Sequence, residues 1–188
     1  KYRSRRQEDI LKEARQLAKN GVKELIVIAQ DTTKYGLDIY GKKAISDLMR
    51  ELNEIEGLKW IRILYSYPED VDAEFVKAVK ECEKVLPYFD MPVQHANDAI
   101  LKLMNRKTSK QQIKENIDRI RKEIPEASIR TSIIVGFPTE TQEQCDELCE
   151  CGKEVKFDRR GVFAYSREED SPAAILEGQI DEDIKQER

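Results

Sequence analysis

The stretch LIVIAQDTT, residues 25–33, decides the fold class of this 188-residue chain. Its first five residues, Leu25 to Ala29, are all apolar, as in the strands that a parallel sheet buries on both faces. Polar residues follow without a break, namely Gln30, Asp31, Thr32 and Thr33. The pattern predicts a buried strand over residues 25–29 whose carboxyl end opens into a polar loop.

The same pattern recurs roughly every 30 to 40 residues, which is the length of a βα unit. Further strands are expected at residues 60–64, 88–91, 129–135 and 161–164, with apolar stripes at helical spacing between them. A Ser-x-x-Gln capping box predicts a helix start at two places, Ser4 with Gln7 and Ser109 with Gln112. Because no strand precedes the first helix, we expect the first strand of the repeat to be missing from this chain.

Five strands and five major helices in this order predict an α/β fold, a partial (β/α)6 TIM-like barrel without its first strand. Doubly wound sheets share the same rhythm, but here distinctive polar residues follow four successive strands, as they do at the mouth of a barrel. We expect residues 1–174 to form the barrel core, truncated at its N-terminus. Residues 175–188 are expected to begin a linker toward a C-terminal domain that is absent here.

The amino-acid composition excludes some classes of binding partner. Acidic and basic residues nearly balance, and the net charge of −4 gives no global field that would attract nucleic acid. No apolar run approaches the roughly 20 residues that span a bilayer, so we expect a cytoplasmic protein without a membrane partner. The four cysteines show no disulfide framework, and we expect free thiols.

Seven residues that directly follow or end strands are the candidates for chemistry, because a barrel gathers its strand ends at one mouth. Each also has a local interpretation: Asp31 could cap the next turn, the tyrosines could fill the rim, and His95 could hydrogen-bond nearby. His95 is the only histidine, so a histidine-rich metal site is ruled out. The candidates are Gln30, Asp31, Tyr65, Tyr67, Gln94, His95 and Arg130.

Three cysteines nearly match the C-x3-C-x2-C spacing of an iron–sulfur ligand set, but the last gap is one residue short. On a continuous helix Cys151 points about 200° away from Cys149, so the three thiols cannot converge. Cys82, Cys145 and Cys149 fit apolar helix stripes instead, as buried free cysteines do. We therefore assign no metal ligand in this chain.

Several segments stand in a fixed order along the chain: KYRSR, IAQDTTKYG, DMPVQHAND followed by ILKLMNRKT, and RTSIIVGFPTET. Together they resemble the radical S-adenosylmethionine methylthiotransferases. The resemblance covers Lys1 to about Ala174, and it favours the branch that modifies an aspartate β-carbon of ribosomal protein S-twelve over the sibling branch that modifies transfer RNA adenosine. A non-catalytic binding barrel and a metabolic barrel using His95 as acid or base are further alternatives.

The resemblance implies a barrel of the radical SAM type, S-adenosylmethionine bound across the strand ends, and two [4Fe–4S] clusters. The family's cluster loop precedes the KYRSR segment, so the ligands are expected to be absent and this chain alone inactive. The implied partners are ribosomal protein S-twelve as substrate and an electron donor, with nucleic acid contacted only through absent domains. Matching positions place Gln30, Asp31, Gln94, Arg130, Ser132 and Tyr165 at the cofactor, and Tyr65, Tyr67, Pro68 and His95 on the substrate side.

Two departures concern backbone and packing. The family usually has glycine at position 139, and Thr139 would be strained there if its φ is positive. Gly152 weakens its helix, and Arg160 lies beside the last strand, so we expect the last βα unit to pack less well than the others.

Overall fold

The computed structural model describes residues 3–188, so Lys1 and Tyr2 of the KYRSR segment lie outside it. Its five strands are β1 (Glu24–Val27), β2 (Trp60–Ile63), β3 (Tyr88–Asp90), β4 (Ser128–Val135) and β5 (Arg159–Ala164). The helices are α1 (Gln7–Lys19), α2 (Leu37–Tyr40), α3 (Ile45–Asn53), α4 (Ala73–Glu81), α5 (Asp98–Leu103), α6 (Lys110–Glu123), α7 (Gln142–Val155) and α8 (Glu182–Glu187). Short 3-10 turns lie at Pro68–Asp70 and Pro172–Ile175. No helix within residues 3–188 has both the length and the apolar character needed to cross a bilayer.

All strands run parallel and follow one another in sequence order across the sheet. β1 pairs with β2, and β4 pairs with β3 on one edge and β5 on the other. A parallel bridge between Ile61 and Val85 joins the two ladders, and the Ser66 N–H donates to the carbonyl of Asp90 at 2.8 Å. A doubly wound sheet would reverse its strand order part-way, whereas this consecutive order is that of a barrel wall.

The core lies between the sheet and the helices that pack on its outer face. Side chains alternate along each strand, so Ile61, Phe89 and Ile129 point toward the helices and are buried. The apolar stripes of α3 and α6 complete this layer through Leu48, Met49, Leu52, Ile113, Ile117 and Ile120. Burying each such side chain contributes about 1.5 to 3 kcal/mol.

The inner face of the sheet is less covered than the sequence predicts. The prediction of a first strand buried on both faces is wrong, because Ile26 is 51% and Ile28 64% exposed on the inner face. Strand β5 is also exposed over most of its length, and Phe163 is 54% exposed. The two outer strands of the sheet therefore present apolar side chains toward the lumen.

The two predicted capping boxes have opposite outcomes. Ser109 and Gln112 form the predicted box at the start of α6. The box predicted for Ser4 and Gln7 is wrong, because α1 begins after Arg6 without a side-chain cap. The Ser4 hydroxyl instead accepts the N–H of Gly36 at 3.1 Å and thereby joins the N-terminal segment to the loop after β1.

Residues 175–188, predicted as the start of a linker, contact the turn that follows β4. The Thr139 N–H donates to the carbonyl of Gly178 at 2.8 Å. Helix α8 brings Arg188 to the carboxylate of Glu140 at 2.8 Å. Helix α7 begins at Gln142 rather than at the predicted Glu140, because Thr141 and Gln144 form its capping box.

Candidate functional site

The loops that leave the strands are hydrogen-bonded to one another along the carboxyl edge of the sheet. Each bond joins a residue that follows one strand to the neighbouring strand or to the residues after it, so the chain of contacts runs from β1 to β5. The segments predicted from sequence to form a common rim therefore meet at one edge. The contacts are Thr32 N–H to Tyr65 O (3.0 Å), Tyr65 N–H to Asp90 Oδ2 (3.1 Å), Gln94 N–H to Ser132 O (2.9 Å) and Tyr165 N–H to Val135 O (2.9 Å).

Arg130 lies on the inner face of β4 and pairs with Asp90 of β3 at 2.5 Å. This hydrogen bond raises the pKa of Arg130. Asp90 is almost fully buried and also accepts the N–H of Tyr65, so it holds Arg130 and the β2 exit together. Sequence reasoning missed Asp90, although an acidic residue that ends the run YFD was an available signal. Arg130 keeps N–H groups that could pair with a carboxylate ligand.

The two candidates after β1 have different surroundings. Asp31 is buried, accepts the backbone N–H of Thr33 at 3.1 Å and pairs with Lys34 at 2.6 Å. This is the turn-capping role that the sequence left open as the alternative. Gln30 is exposed beside a groove of about 550 Å³ lined by Val27, Ile28, Ala29 and Tyr35, and is free to contact a ligand.

Gln94 and Ser132 face each other across the β3 and β4 exits. Gln94 has a φ of +68° and bonds on both sides to β4, donating to Ser132 O and accepting from Ile134 N–H at 2.8 Å. These two bonds hold Gln94 in the left-handed backbone conformation, which costs a non-glycine residue about 1 to 3 kcal/mol. Both side chains are half-buried, which suits contact with a bound group.

His95 is fully buried and makes local contacts. Its Nδ1 accepts the N–H of Asn97 at 2.9 Å, so the proton of a neutral ring lies on Nε2. Nε2 faces the carboxylate of Glu140 at 3.4 Å, and both side chains are inaccessible to solvent. The structure therefore shows the local alternative for His95 and no surface through which it meets a substrate.

Glu140 gathers three segments around its carboxylate. It accepts the N–H of Gly136 at 3.0 Å and an N–H of Arg188 at 2.8 Å, and it faces His95. Burial by itself raises the pKa of Glu140, but the nearby His95 ring, the hydrogen bond from Gly136 and the charge of Arg188 lower it below its ordinary value. No local pattern predicts this cluster, because Arg188 lies 48 residues further along the chain.

The residues predicted on the substrate side follow β2. Tyr65 is 46% exposed and has a φ of +57°, while Pro68 is buried and its carbonyl accepts from Asn116 at 2.6 Å. Two cations approach the ring of Tyr67: Lys34 at 5.0 Å and Arg106 at 4.4 Å from its centroid. Arg106 was not singled out as a candidate, although it lies in the quoted segment ILKLMNRKT.

Tyr165 follows β5 and packs edge-on against Phe137, with ring centroids 5.3 Å apart. Its hydroxyl oxygen is buried and has no hydrogen-bond partner among the described residues. A buried hydroxyl without a partner is costly, so this position fits a ligand that supplies one. The place of Tyr165 at the cofactor stays a prediction, and it is compatible with this feature.

The cysteines do not gather around a common point. Helix α7 is continuous, with Cys145 and Cys151 buried and Cys149 exposed. The prediction that Cys149 shares the apolar stripe is wrong, because the buried face runs through Cys145, Leu148, Cys151 and Val155. Within residues 3–188 no group of three or more His, Cys, Asp or Glu side chains could hold a metal ion. A cluster therefore does not fit these residues.

A consecutive parallel sheet with polar side chains along its carboxyl edge defines a partial βα barrel that binds ligands at its rim. The model of the Radical SAM superfamily matches residues 1–151, and the chain belongs to that superfamily. Membership supports the use of S-adenosylmethionine with iron–sulfur chemistry in general terms.

Two curated relatives align with the whole length of this chain. Ribosomal protein uS12 methylthiotransferase RimO of Clostridioides difficile (strain 630) is 57% identical over 188 residues, which are 42% of its length. The protein of the same name from Alkaliphilus oremlandii (strain OhILAs) is 55% identical over 187 residues, 43% of its length. The chain thus spans less than half the length of the curated relatives that it matches.

Two solved structures share the fold. Streptococcus suis SuiB bound to S-adenosylmethionine superposes with a TM-score of 0.62 at 18% identity, over 94% of this chain and 37% of SuiB. Coproporphyrinogen III oxidase (HemN) from Escherichia coli, titled a Radical SAM enzyme, gives 0.62 at 21% identity, over 89% of this chain and 40% of HemN. The predicted fold, a partial barrel of the radical SAM type, is confirmed.

Proposed function

We propose that this chain is the barrel core of a methylthiotransferase that adds a methylthio group to an aspartate β-carbon of ribosomal protein uS12. The observation that carries the proposal is identity of 57% along the whole chain to a relative named for that reaction. The barrel part comprises residues 1–174, and residues 175–188 contact the turn after β4. The reaction is cytoplasmic, where ribosomal proteins are available.

The cofactor is S-adenosylmethionine, which supplies a cleavable sulfonium and a methyl group. Arg130, held in place by Asp90, offers its remaining N–H groups to a carboxylate at the rim. Gln30, Gln94 and Ser132 supply amide and hydroxyl groups from the exits of three strands. Asp31 orders the loop after β1 through Thr33 and Lys34, and Tyr165 closes the β5 side.

The iron–sulfur part of the reaction belongs to segments outside the described residues. We propose two [4Fe–4S] clusters whose ligands lie in those segments, together with an electron donor that reduces them. Nucleic acid would be contacted only there. The present chain contributes the binding surface at the strand ends, where Tyr65, Tyr67, Pro68 and His95 form or support the substrate side, and is expected to be inactive without those segments.

The test is to express the protein at the length of its relatives, reconstitute it with iron and sulfide, and supply S-adenosylmethionine, a reductant and uS12. Mass spectrometry is expected to find one methylthio group on an aspartate of uS12. Transfer RNA is supplied in a parallel reaction. Modification of adenosine in transfer RNA with none in uS12 would contradict the proposal and favour the sibling activity.

The proposed role of Arg130 in the cofactor site can be tested separately. Replacing Arg130 by Gln is expected to weaken S-adenosylmethionine binding about 10- to 100-fold, since it removes a charge-assisted hydrogen bond. Arg119→Gln, an exposed change on α6 with the same loss of charge, is expected to leave binding unchanged. Equal binding by both variants would remove Arg130 from the cofactor site.

A further inference from the structure

Arg106 is a cation without a compensating partner at the rim. It follows α5 in the loop between β3 and α6, and its guanidinium stacks on Tyr67 from the β2 exit. Its Nη1 is buried and has no hydrogen-bond partner, and Arg106 forms no ion pair within residues 3–188. A buried guanidinium nitrogen without a partner is costly and therefore needs an explanation, and a ligand that supplies the partner is one.

The neighbouring cation shows the contrast. Lys34 reaches the same tyrosine ring from the β1 exit, but it pairs with Asp31 at 2.6 Å and with Asp70 at 3.2 Å. Its charge is therefore already neutralised by the protein. Of the two cations on Tyr67, Arg106 is the one whose charge remains available to a ligand.

We infer that Arg106, oriented by Tyr67, binds the carboxylate of the substrate aspartate. The inference rests on the proposed function. A guanidinium pairs with a carboxylate through two parallel N–H···O bonds and so fixes its orientation as well as its position. The aspartate β-carbon is bonded directly to that carboxyl carbon, and holding the carboxylate therefore places the carbon that reacts. Arg106 thus selects aspartate over asparagine.

Glu69 provides the competing explanation. It lies two residues after Tyr67, and its Oε2 is also buried without a hydrogen-bond partner. If Glu69 paired with Arg106, the ion pair would be internal and the site closed to substrate. Separate replacement of Arg106 and of Glu69 distinguishes an internal ion pair from an arginine that binds substrate.

The experiment uses the reconstituted protein at the length of its relatives and two synthetic uS12 peptides, one with the target aspartate and one with asparagine in its place. Fluorescence anisotropy measures the affinity for each peptide. The wild-type protein is expected to bind the aspartate peptide about 10- to 100-fold more tightly, as for a hydrogen bond between charged groups. Arg106→Gln is expected to remove the preference, and Arg106→Lys to restore part of it.

Arg119→Gln is the matched control, because Arg119 is exposed on α6 and forms no ion pair within the described residues. It is expected to keep the full preference. Glu69→Gln is expected to keep it as well, with thermal unfolding showing that each variant is folded.

Three results would overturn the assignment. The first is an undiminished preference in Arg106→Gln, and the second is a loss of S-adenosylmethionine binding in that variant in place of a loss of peptide selectivity. The third is equal destabilisation by Arg106→Gln and Glu69→Gln with no effect of their combination beyond either one, which identifies an internal ion pair. If wild-type protein modifies uS12 while any of these holds, only the role of Arg106 fails. If it neither binds nor modifies uS12, the proposed function fails and this role with it.

Discussion

Thr139 occupies a backbone conformation that its side chain opposes. Its φ is +71°, as suspected from the glycine usual at this position, and a β-branched residue there costs about 1 to 2 kcal/mol. Thr139→Gly is therefore expected to raise the free energy of unfolding by about 1 kcal/mol, measured by urea denaturation. Thr139→Ala removes the same methyl and hydroxyl groups but keeps Cβ, so it should gain less. A destabilised glycine variant would show that the packing of the Thr139 side chain outweighs the strain, because the variant keeps the backbone hydrogen bond to Gly178.

The four thiols differ in exposure and hence in reactivity. Burial raises the pKa of Cys145 to about 11 and also raises the pKa of Cys82 and Cys151, whereas Cys149 is exposed. Because the thiolate is the reactive form, iodoacetamide near neutral pH is expected to label Cys149 first. Peptide mass mapping over time measures this order. Labelling of Cys145 at the same rate would mean that α7 opens readily, and a Cys149→Ser variant should lose the fast phase.

At the scale of the element, the start of α6 depends on one hydroxyl. The Ser109 hydroxyl accepts the N–H of Gln112 at 3.2 Å, and the side-chain oxygen of Gln112 accepts the N–H of Ser109 at 3.0 Å. Ser109→Ala is expected to lower the free energy of unfolding by about 1 kcal/mol, since it leaves a helix N–H unsatisfied. Ser46→Ala, near the start of α3, is the control and should change stability little. An unchanged denaturation midpoint for Ser109→Ala would mean that water replaces the cap.

The two capping boxes also show where local sequence stops being informative. Ser4 with Gln7 and Ser109 with Gln112 have the same spacing, yet only the second forms a box. The Ser4 hydroxyl accepts the N–H of Gly36, which lies 32 residues away, and so does not cap α1. A local sequence pattern cannot predict a hydrogen bond to such a distant residue. The positions of the strands can be predicted within a few residues because apolar runs mark them, but the runs do not show that the inner faces of β1 and β5 are exposed. The short helix α2 between Gly36 and Gly41 was missed, since four residues carry too little periodicity.

At the scale of the whole molecule, the location of the rim could be predicted from the parallel topology, but the contacts of its side chains could not. Parallel strands with short exits must bring Gln30 and Gln94 to one edge, whatever the details of packing. Arg130 is the third residue of β4 and joins them because it pairs with Asp90 at the end of β3. Which of these side chains stays available to a ligand depends on partners elsewhere in the chain, such as Asp90 for Arg130, 40 residues apart. His95 shows the same limit, because its burial against Glu140 depends on how α7 and α8 close over it.

The Glu140 cluster links three parts of the fold and should make stability depend on pH. Burial raises the pKa of Glu140, but the nearby His95 ring and the hydrogen bond from Gly136 lower it below its ordinary value of 4.5. A carboxyl whose pKa is lower in the folded state contributes its full stability above the unfolded value, and loses it as the pH falls through the folded value. Glu140→Gln is expected to lower the free energy of unfolding at neutral pH by about 3 kcal/mol, because it leaves Arg188 buried without its charge partner.

The difference in stability between wild type and Glu140→Gln should be constant at neutral pH and shrink below about pH 4.5, as measured by urea denaturation over a pH series. Glu143→Gln is the control, since Glu143 lies exposed in the first turn of the same helix and should change stability little. A difference that stays constant into acid would mean that the pKa of Glu140 is the same in the folded and the unfolded protein. The contacts with Gly136 and Arg188 would then not favour the charged carboxylate, which would contradict the prediction.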